Sequence, residues 1–263
     1  MIRLVRRFAA GTVGAGRAGL DLLFPPRCAC CDADLPEDGP PDDPPDRILL
    51  CEDCRRLLGP ESWRGCHRCG ATAAAGQPGS RRCGLCQDTN LRFDGTVPLG
   101  GYTDDLREVV LRMKRATNDV LSVTMGRLLA FRRAELLADF NAQLIVPIPM
   151  YWTRRLARGT NSPDLIARSL GKSMGISVSR SLLVRRRNTM HQKDLSPTER
   201  FRNVRGAFRV RSGRKLDGLR ILLIDDILTT GATCSEAASA LKKAGAAAVA
   251  AVVVARAQPV NTT

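Results

Sequence analysis

The chain has 263 residues, 44% of them hydrophobic and 25% charged, enough apolar content to bury a core in one large or two unequal domains and too much for global disorder. Lys and Arg number 41 against 26 Asp and Glu, a formal charge of +15 that points to a polyanionic partner: a nucleic acid, a phosphorylated small molecule or an anionic membrane surface. No apolar run approaches the ~20 residues of a membrane span. Aromatic residues at 4% are too few for a surface built mainly of base-stacking rings, and two histidines leave little room for histidine-based catalysis.

Met1 to Ala10 has the basic start of a signal peptide, but Arg17 and Asp21 break the apolar stretch that should follow. Residues 1–26 therefore read as a short basic amphipathic helix ending at Leu22-Leu23-Phe24 before Pro25-Pro26, on a chain that stays in the cytoplasm. Gly14-Ala-Gly16-Arg-Ala-Gly19 matches the dinucleotide pattern GxGxxG, but no strand precedes it, so it carries no such meaning.

Nine of the ten cysteines lie between Cys28 and Cys86. Eight of them form four knuckles of one spacing: Cys28/Cys31, Cys51/Cys54, Cys66/Cys69 and Cys83/Cys86. Two intervening residues let both thiolates of a knuckle turn toward one ion, and two knuckles complete a tetrahedron around Zn²⁺. Residues 27–90 are therefore expected to form a double zinc-ribbon domain with two closed structural sites, consecutive knuckles pairing and crossed pairing as the alternative. A disulfide framework would require export, and one redox CxxC would not explain four knuckles. Cys30 is the odd cysteine of the first knuckle, and His67 sits inside the third. The Pro- and Asp-rich stretch between Cys31 and Cys51 and the stretch Ala71 to Arg82 read as loops, the former without the arrangement of a calcium loop.

From residue 91 to 263 helix and strand periodicities take over. Leu106, Val109, Val110 and Met113 mark one amphipathic helix, and Leu121, Met125, Leu128 and Leu129 a second. Leu144-Ile145-Val146 is a short buried strand closed by Pro147-Ile148-Pro149, and Asp164 to Met174 a helix. Ile221 to Ile224 and Ala247 to Val254 read as buried strands around a helix from about Ser235 to Ala244. Such strand–helix–strand units predict an α/β class with a mostly parallel sheet flanked by helices.

The richest site follows strand 221–224: Asp225, Asp226, Thr229, Thr230, Gly231, Ala232 and Thr233, then a helix. Ligands of open α/β sheets bind at the carboxyl ends of strands. Two adjacent carboxylates suit a sugar diol. A Thr- and Gly-bearing loop at a helix N-terminus suits a phosphate. It is not a Walker A loop, since no Gly-Lys-Ser/Thr follows, and helix capping alone needs only one such residue.

Ile221 to Thr233, Ile-Leu-Leu-Ile-Asp-Asp-Ile-Leu-Thr-Thr-Gly-Ala-Thr, resembles the phosphoribosyl-diphosphate (PRPP) motif of type I phosphoribosyltransferases. With the knuckles, Leu23 to Cys28, Val146 to Pro149, Arg154-Arg155, Arg158 to Asn161, Gln192 to Ser196 and Arg200 to Asn203, the chain resembles the ComF family of competence proteins. Thr160 and Ser162-Pro163 depart from that family's usual pattern. The resemblance implies a type I phosphoribosyltransferase-like sheet, with Asp225 and Asp226 on the ribose hydroxyls and Thr229 to Thr233 on the 5-phosphate. It implies a pyrophosphate loop at Pro147, Ile148, Pro149 and Met150 helped by Arg154, Arg155 and Arg158, and Mg²⁺ carried mainly by the substrate. The implied roles are pentosyl transfer from PRPP to a nucleobase or amine, or PRPP and single-stranded DNA binding beside a DNA-translocating partner. Residues 185–220 hold twelve Lys and Arg against three carboxylates, charges that suit nucleic acid, and the resemblance implies that this tract is the loop that closes over PRPP. His191 reads as a loop residue and Cys234 as a buried helix side chain.

Overall fold

A computed structural model describes residues 25–36, 47–72, 83–190 and 195–257. The N-terminal helix expected up to Phe24, most of the two loops expected between knuckles, and His191 to Asp194 lie outside the described residues.

The main sheet has four parallel strands, β1 (Gly95–Gly101), β2 (Leu144–Pro147), β5 (Arg220–Leu228) and β6 (Ala248–Arg256), in the order β1-β6-β5-β2. Between β1 and β2 run α2 (Asp104–Arg112), a 3-10 turn, α3 (Asp119–Arg132) and α4 (Ala134–Asp139). Between β2 and β5 run α5 (Trp152–Arg158), α6 (Ser162–Met174), the antiparallel pair β3 (Leu183–Arg185) and β4 (Phe208–Val210), and α7 (Pro197–Val204). One helix, α8 (Ala232–Lys243), links β5 to β6, and α1 (Glu52–Leu58) follows Cys51.

Why the two central strands read as unbroken apolar runs is plain from their packing. Leu222, Ile224, Ala250, Val252 and Val254 face a core shared with α2, α3 and α6. Ile221, Leu223, Val249, Ala251 and Val253 face a second core shared with α8 and the β3/β4 pair. Both faces are covered, so alternation disappears. The cysteines divide the same way. Cys28 and Cys54 belong to the first core, and Cys69, Cys83 and Cys86 to the second. Helix α3 meets α6 at Gly126, where a Cβ would stand 2.1 Å from Ser169 Oγ and 2.7 Å from Ile166 O, so only glycine permits this approach.

Both outer edges of the sheet are closed. On β1, Thr96 N–H donates to His67 O, Pro98 has no N–H to offer, and buried Arg133 donates to the carbonyls of Pro98 and Leu99. On β2, Ile145 N–H donates to Ser177 O and Ser179 N–H donates to Ile145 O, each at 2.9 Å.

Several element boundaries differ from expectation. The strand expected at 221–224 continues to Leu228, because β6 runs alongside it (Asp225 opposite Val253, Ile227 opposite Ala255) after β2 has stopped at Pro147. The last strand is displaced to Ala248–Arg256, and α8 begins at Ala232, three residues early, since Gly231 takes φ +82° and turns the chain at once into the helix. Strand β1 has no counterpart among the expected elements, and Pro98 is tolerated in it because the strand lies at the edge. Among the described residues no helix is long and apolar enough to cross a membrane.

Candidate functional site

A cavity of about 760 Å³ opens across the carboxyl ends of the parallel strands. Tyr102 after β1, Ala257 after β6, Asp225 to Leu228 of β5 and Ile148 after β2 all line it. Because β2 ends at Pro147, one side of β5 is released from the sheet where the two aspartates stand. Thr229, Gly231, Ala232 and Thr233 complete that wall at the start of α8, whose first-turn N–H groups have no carbonyl four residues back. Gly231 is required by its φ, and a Cβ there would press on Leu91 Cδ2 at 3.0 Å.

Of the fourteen expected small-molecule residues, all but Pro147, Thr230 and Arg155 line this cavity. Pro147 is the last residue of β2. The Thr230 hydroxyl accepts from Ala232 N–H within its own loop. Arg155 instead pairs with buried Asp164 at 3.3 Å, which Arg180 also holds at 2.9 Å. Four further cations line it: Lys114 and Arg115, which sequence reasoning did not assign, and Arg185 and Arg200 of the basic tract expected to close over PRPP or meet nucleic acid. Arg154 and Arg185 converge on Thr189, Arg154 donating to its carbonyl and Arg185 to its hydroxyl. Arg185 also lies over the Phe208 ring at 5.4 Å, and burial, then the charge of Arg154, lowers its pKa. The cavity thus gathers six cationic side chains around two carboxylates, an environment for a multiply charged anion that also carries hydroxyls.

Burial, and next the neighbouring Asp226 carboxylate, push Asp225 well above the usual carboxylate range. Lys114 opposes this, its Nζ 3.7 Å from Asp226 Oδ2. Cys234 is buried, as expected, and its Sγ stands 3.8 Å from Asp225 Oδ2.

The eight knuckle cysteines form two groups, Cys28/Cys31/Cys51/Cys54 and Cys66/Cys69/Cys83/Cys86, with the sulfurs of each group within 4.8 Å of one another. Consecutive knuckles have paired. None of the ten cysteines is disulfide-bonded, and neither Cys30 nor His67 belongs to either group. Burial raises the thiols of Cys28 and Cys66, but backbone N–H groups outweigh it and leave both lowered to about 7. Those donors are Cys31, Cys51 and Cys30 for Cys28, and Cys69 and Arg68 for Cys66. Burial pushes Cys54 and Cys69 up. Each group offers four soft ligands in one shell and could hold a metal ion.

A family model described as the phosphoribosyl transferase domain matches residues 164–261. Competence protein F of Haemophilus influenzae is 29% identical over 212 residues, covering 79% of this chain and 90% of that protein. The DNA utilization protein YhgH of Salmonella typhimurium is 31% identical over 203 residues, covering 76% of this chain and 87% of that protein, and its counterpart in Salmonella typhi is 30% identical over 217 residues, covering 76% and 93%. A phosphoribosyltransferase-type sheet carrying two four-cysteine clusters, with relatives matched over most of both chains, makes this chain a member of the ComF family.

Proposed function

We propose that the cavity binds PRPP and that the chain is a phosphoribosyltransferase-like protein of DNA uptake or nucleobase handling. The observation that carries this reading is the joining of Asp225, Asp226 and the Thr229–Thr233 loop in one cavity with six cations. Asp225 and Asp226 accept hydrogen bonds from the ribose 2′- and 3′-hydroxyls. The loop and the N-terminus of α8 hold the 5-phosphate. Ile148 to Met150, Arg154 and Arg158, with Arg185, face the pyrophosphate. Transfer breaks the C1–O bond to pyrophosphate and forms a bond from C1 to the acceptor. The arginines stabilise the charge that leaves. Mg²⁺, when bound with the substrate, neutralises diphosphate oxygens and needs few protein ligands.

The two cysteine groups fit Zn²⁺: four thiolates each, no open position, and hence a structural role. The relatives' names, competence protein F and DNA utilization protein, support a link to DNA uptake or use; a cytoplasmic place beside a DNA-translocating partner is part of the proposal. A second reading, a non-catalytic protein that binds PRPP and single-stranded DNA, is favoured by one surface. Trp152, Leu156 and Met190 are exposed large apolar groups on segments that also carry exposed Arg155, Arg158, Arg186 and Arg187. Calorimetric titration of PRPP with Mg²⁺ into the full chain tests the first claim. Binding is expected, and the Asp225→Ala/Asp226→Ala protein should lose roughly ten- to a hundredfold per residue. Equal affinity in a folded double variant overturns it. Pyrophosphate release across a panel of bases then separates the enzyme from the binder.

A further inference from the structure

Arg256, the last residue of β6, is 5% exposed and lies at the meeting point of two functional parts. Its Nε donates to the carbonyl of Cys69 at 2.6 Å. Its Nη1 donates to Leu228 O at 3.1 Å, to Thr229 O at 2.6 Å and to Ala257 O. One guanidinium therefore spans a knuckle of the second cysteine cluster and the start of the loop that walls the cavity. A buried guanidinium has no acceptor of its own and depends on carbonyls for the solvation it has lost. Moving one of those carbonyls moves the fork or leaves it unsatisfied.

A second tie runs between the same two parts. Arg92 N–H donates to Ser235 Oγ in the first turn of α8 at 2.9 Å, and Leu91 and Phe93 close against Gly231. These residues lie five to seven positions after Cys86. Arg68, within the Cys66–Cys69 knuckle, donates to Leu91 O and lies over the Phe93 ring at 5.6 Å. The second cluster is thus the floor on which the loop rests. Its sulfurs approach as near as 3.6 Å between Cys69 and Cys83, close enough for a thiol–thiol hydrogen bond or for one shared ion.

We propose that Arg256 is a positioning residue that couples the second cysteine cluster to the cavity loop at Leu228–Thr233, so that loss of the metal from that cluster weakens ligand binding in the cavity. The ligand side of this rests on the PRPP reading above. The coupling itself does not.

The test uses the full zinc-loaded chain. Arg256→Lys keeps the charge and removes the fork. Cys83→Ser depletes the second cluster, and Cys51→Ser depletes the first for comparison. Three readouts are taken: PRPP affinity with Mg²⁺, zinc content, and amide hydrogen exchange at 228–233. Arg256→Lys should keep both zinc equivalents and lose about tenfold in PRPP affinity, the scale of coupling within one hydrogen-bond network. Cys83→Ser should lose a similar factor and speed exchange at 228–233, and Cys51→Ser should leave that exchange unchanged. The double variant should be little worse than the worse single one. Fully additive losses, or unchanged exchange at 228–233 in the Cys83→Ser protein, overturn the proposal. Should Arg256→Lys fail to fold, the exchange comparison between Cys83→Ser and Cys51→Ser decides alone. A wild type that binds no PRPP sinks the ligand assignment, and the exchange data still decide the coupling.

Discussion

Lys114 Nζ lies 3.7 Å from Asp226 Oδ2, with 32% and 16% of the two side chains exposed. The lysine is delivered by a braced turn. Met113 before it is buried and its carbonyl accepts from Ser162 Oγ at 2.7 Å, while Arg112 donates to the carbonyls of Ala29 and Cys30 in the first knuckle. Lys114 lies outside residues 164–261, so this cation comes from a stretch that the phosphoribosyl transferase family model does not match. Its charge opposes the burial and the Asp226 charge that raise the Asp225 carboxyl. Lys114→Met should lower PRPP affinity about tenfold at neutral pH and move the acid limb of binding upward, and Lys114→Arg should restore most of both. Calorimetry across pH provides the check.

Asp225 itself sets a pH dependence of stability. Burial, then Asp226, raise its folded pKa above the unfolded value of about 3.9. Between those two values the native state binds more protons than the unfolded chain, so stability falls as pH rises through the folded pKa and is fully present below the unfolded one. Asp225→Asn removes this loss. It should raise Tm at pH 7 by about 2–4 °C for each kcal/mol recovered and converge with wild type below about pH 4, while PRPP binding drops. Thermal melts from pH 3 to 8 decide it. A variant no more stable than wild type at pH 7 contradicts the argument.

Each cysteine group holds one thiol lowered to about 7 and others raised by burial, a mixture that a metal would convert to four thiolates. Elemental analysis of protein purified without added zinc should give two Zn²⁺ per chain. Zinc should be released as pH falls, because protons compete for the sulfurs. Near-zero zinc would remove the structural-metal reading.

The exposed arginine surface predicts sequence-tolerant binding of single-stranded DNA that weakens steeply with salt. With three or four phosphates neutralised at a slope of ~0.7 each, affinity should drop more than tenfold between 50 and 200 mM salt. Trp152→Ala should cost a further ~1–3 kcal/mol if a base stacks on the ring. Fluorescence anisotropy at several ionic strengths measures both. Binding insensitive to salt would leave the +15 charge to the cavity ligand alone.

What was readable in advance had a local physical cause. The apolar runs of β5 and β6, the spacing of the knuckles and the Asp-Asp-Thr-Thr-Gly-Thr pattern each state their purpose within a few residues. Helix α5 could not be read, because none of its seven residues is buried and no periodicity marks it. Strands β3 and β4, three residues each, exist through their pairing with one another. Lys114, Arg112 and Arg256 are single charges in a chain with 41 Lys and Arg, and only the folded path gives them partners. One local sign was there for Arg256. An arginine closing a nine-residue strand buried almost throughout must find carbonyl acceptors in the interior.

The closed margins of the main sheet limit how the molecule can meet others. With His67 and Arg133 occupying the rim of β1 and residues 177–179 that of β2, neither margin offers a ladder of unspent backbone donors and acceptors for a foreign strand to zip onto. Across the main sheet, recognition of a protein partner therefore runs through side chains on helices and loops, where charge and shape discriminate. The described margins of that sheet likewise give little purchase to the strand-to-strand stacking that seeds aggregates.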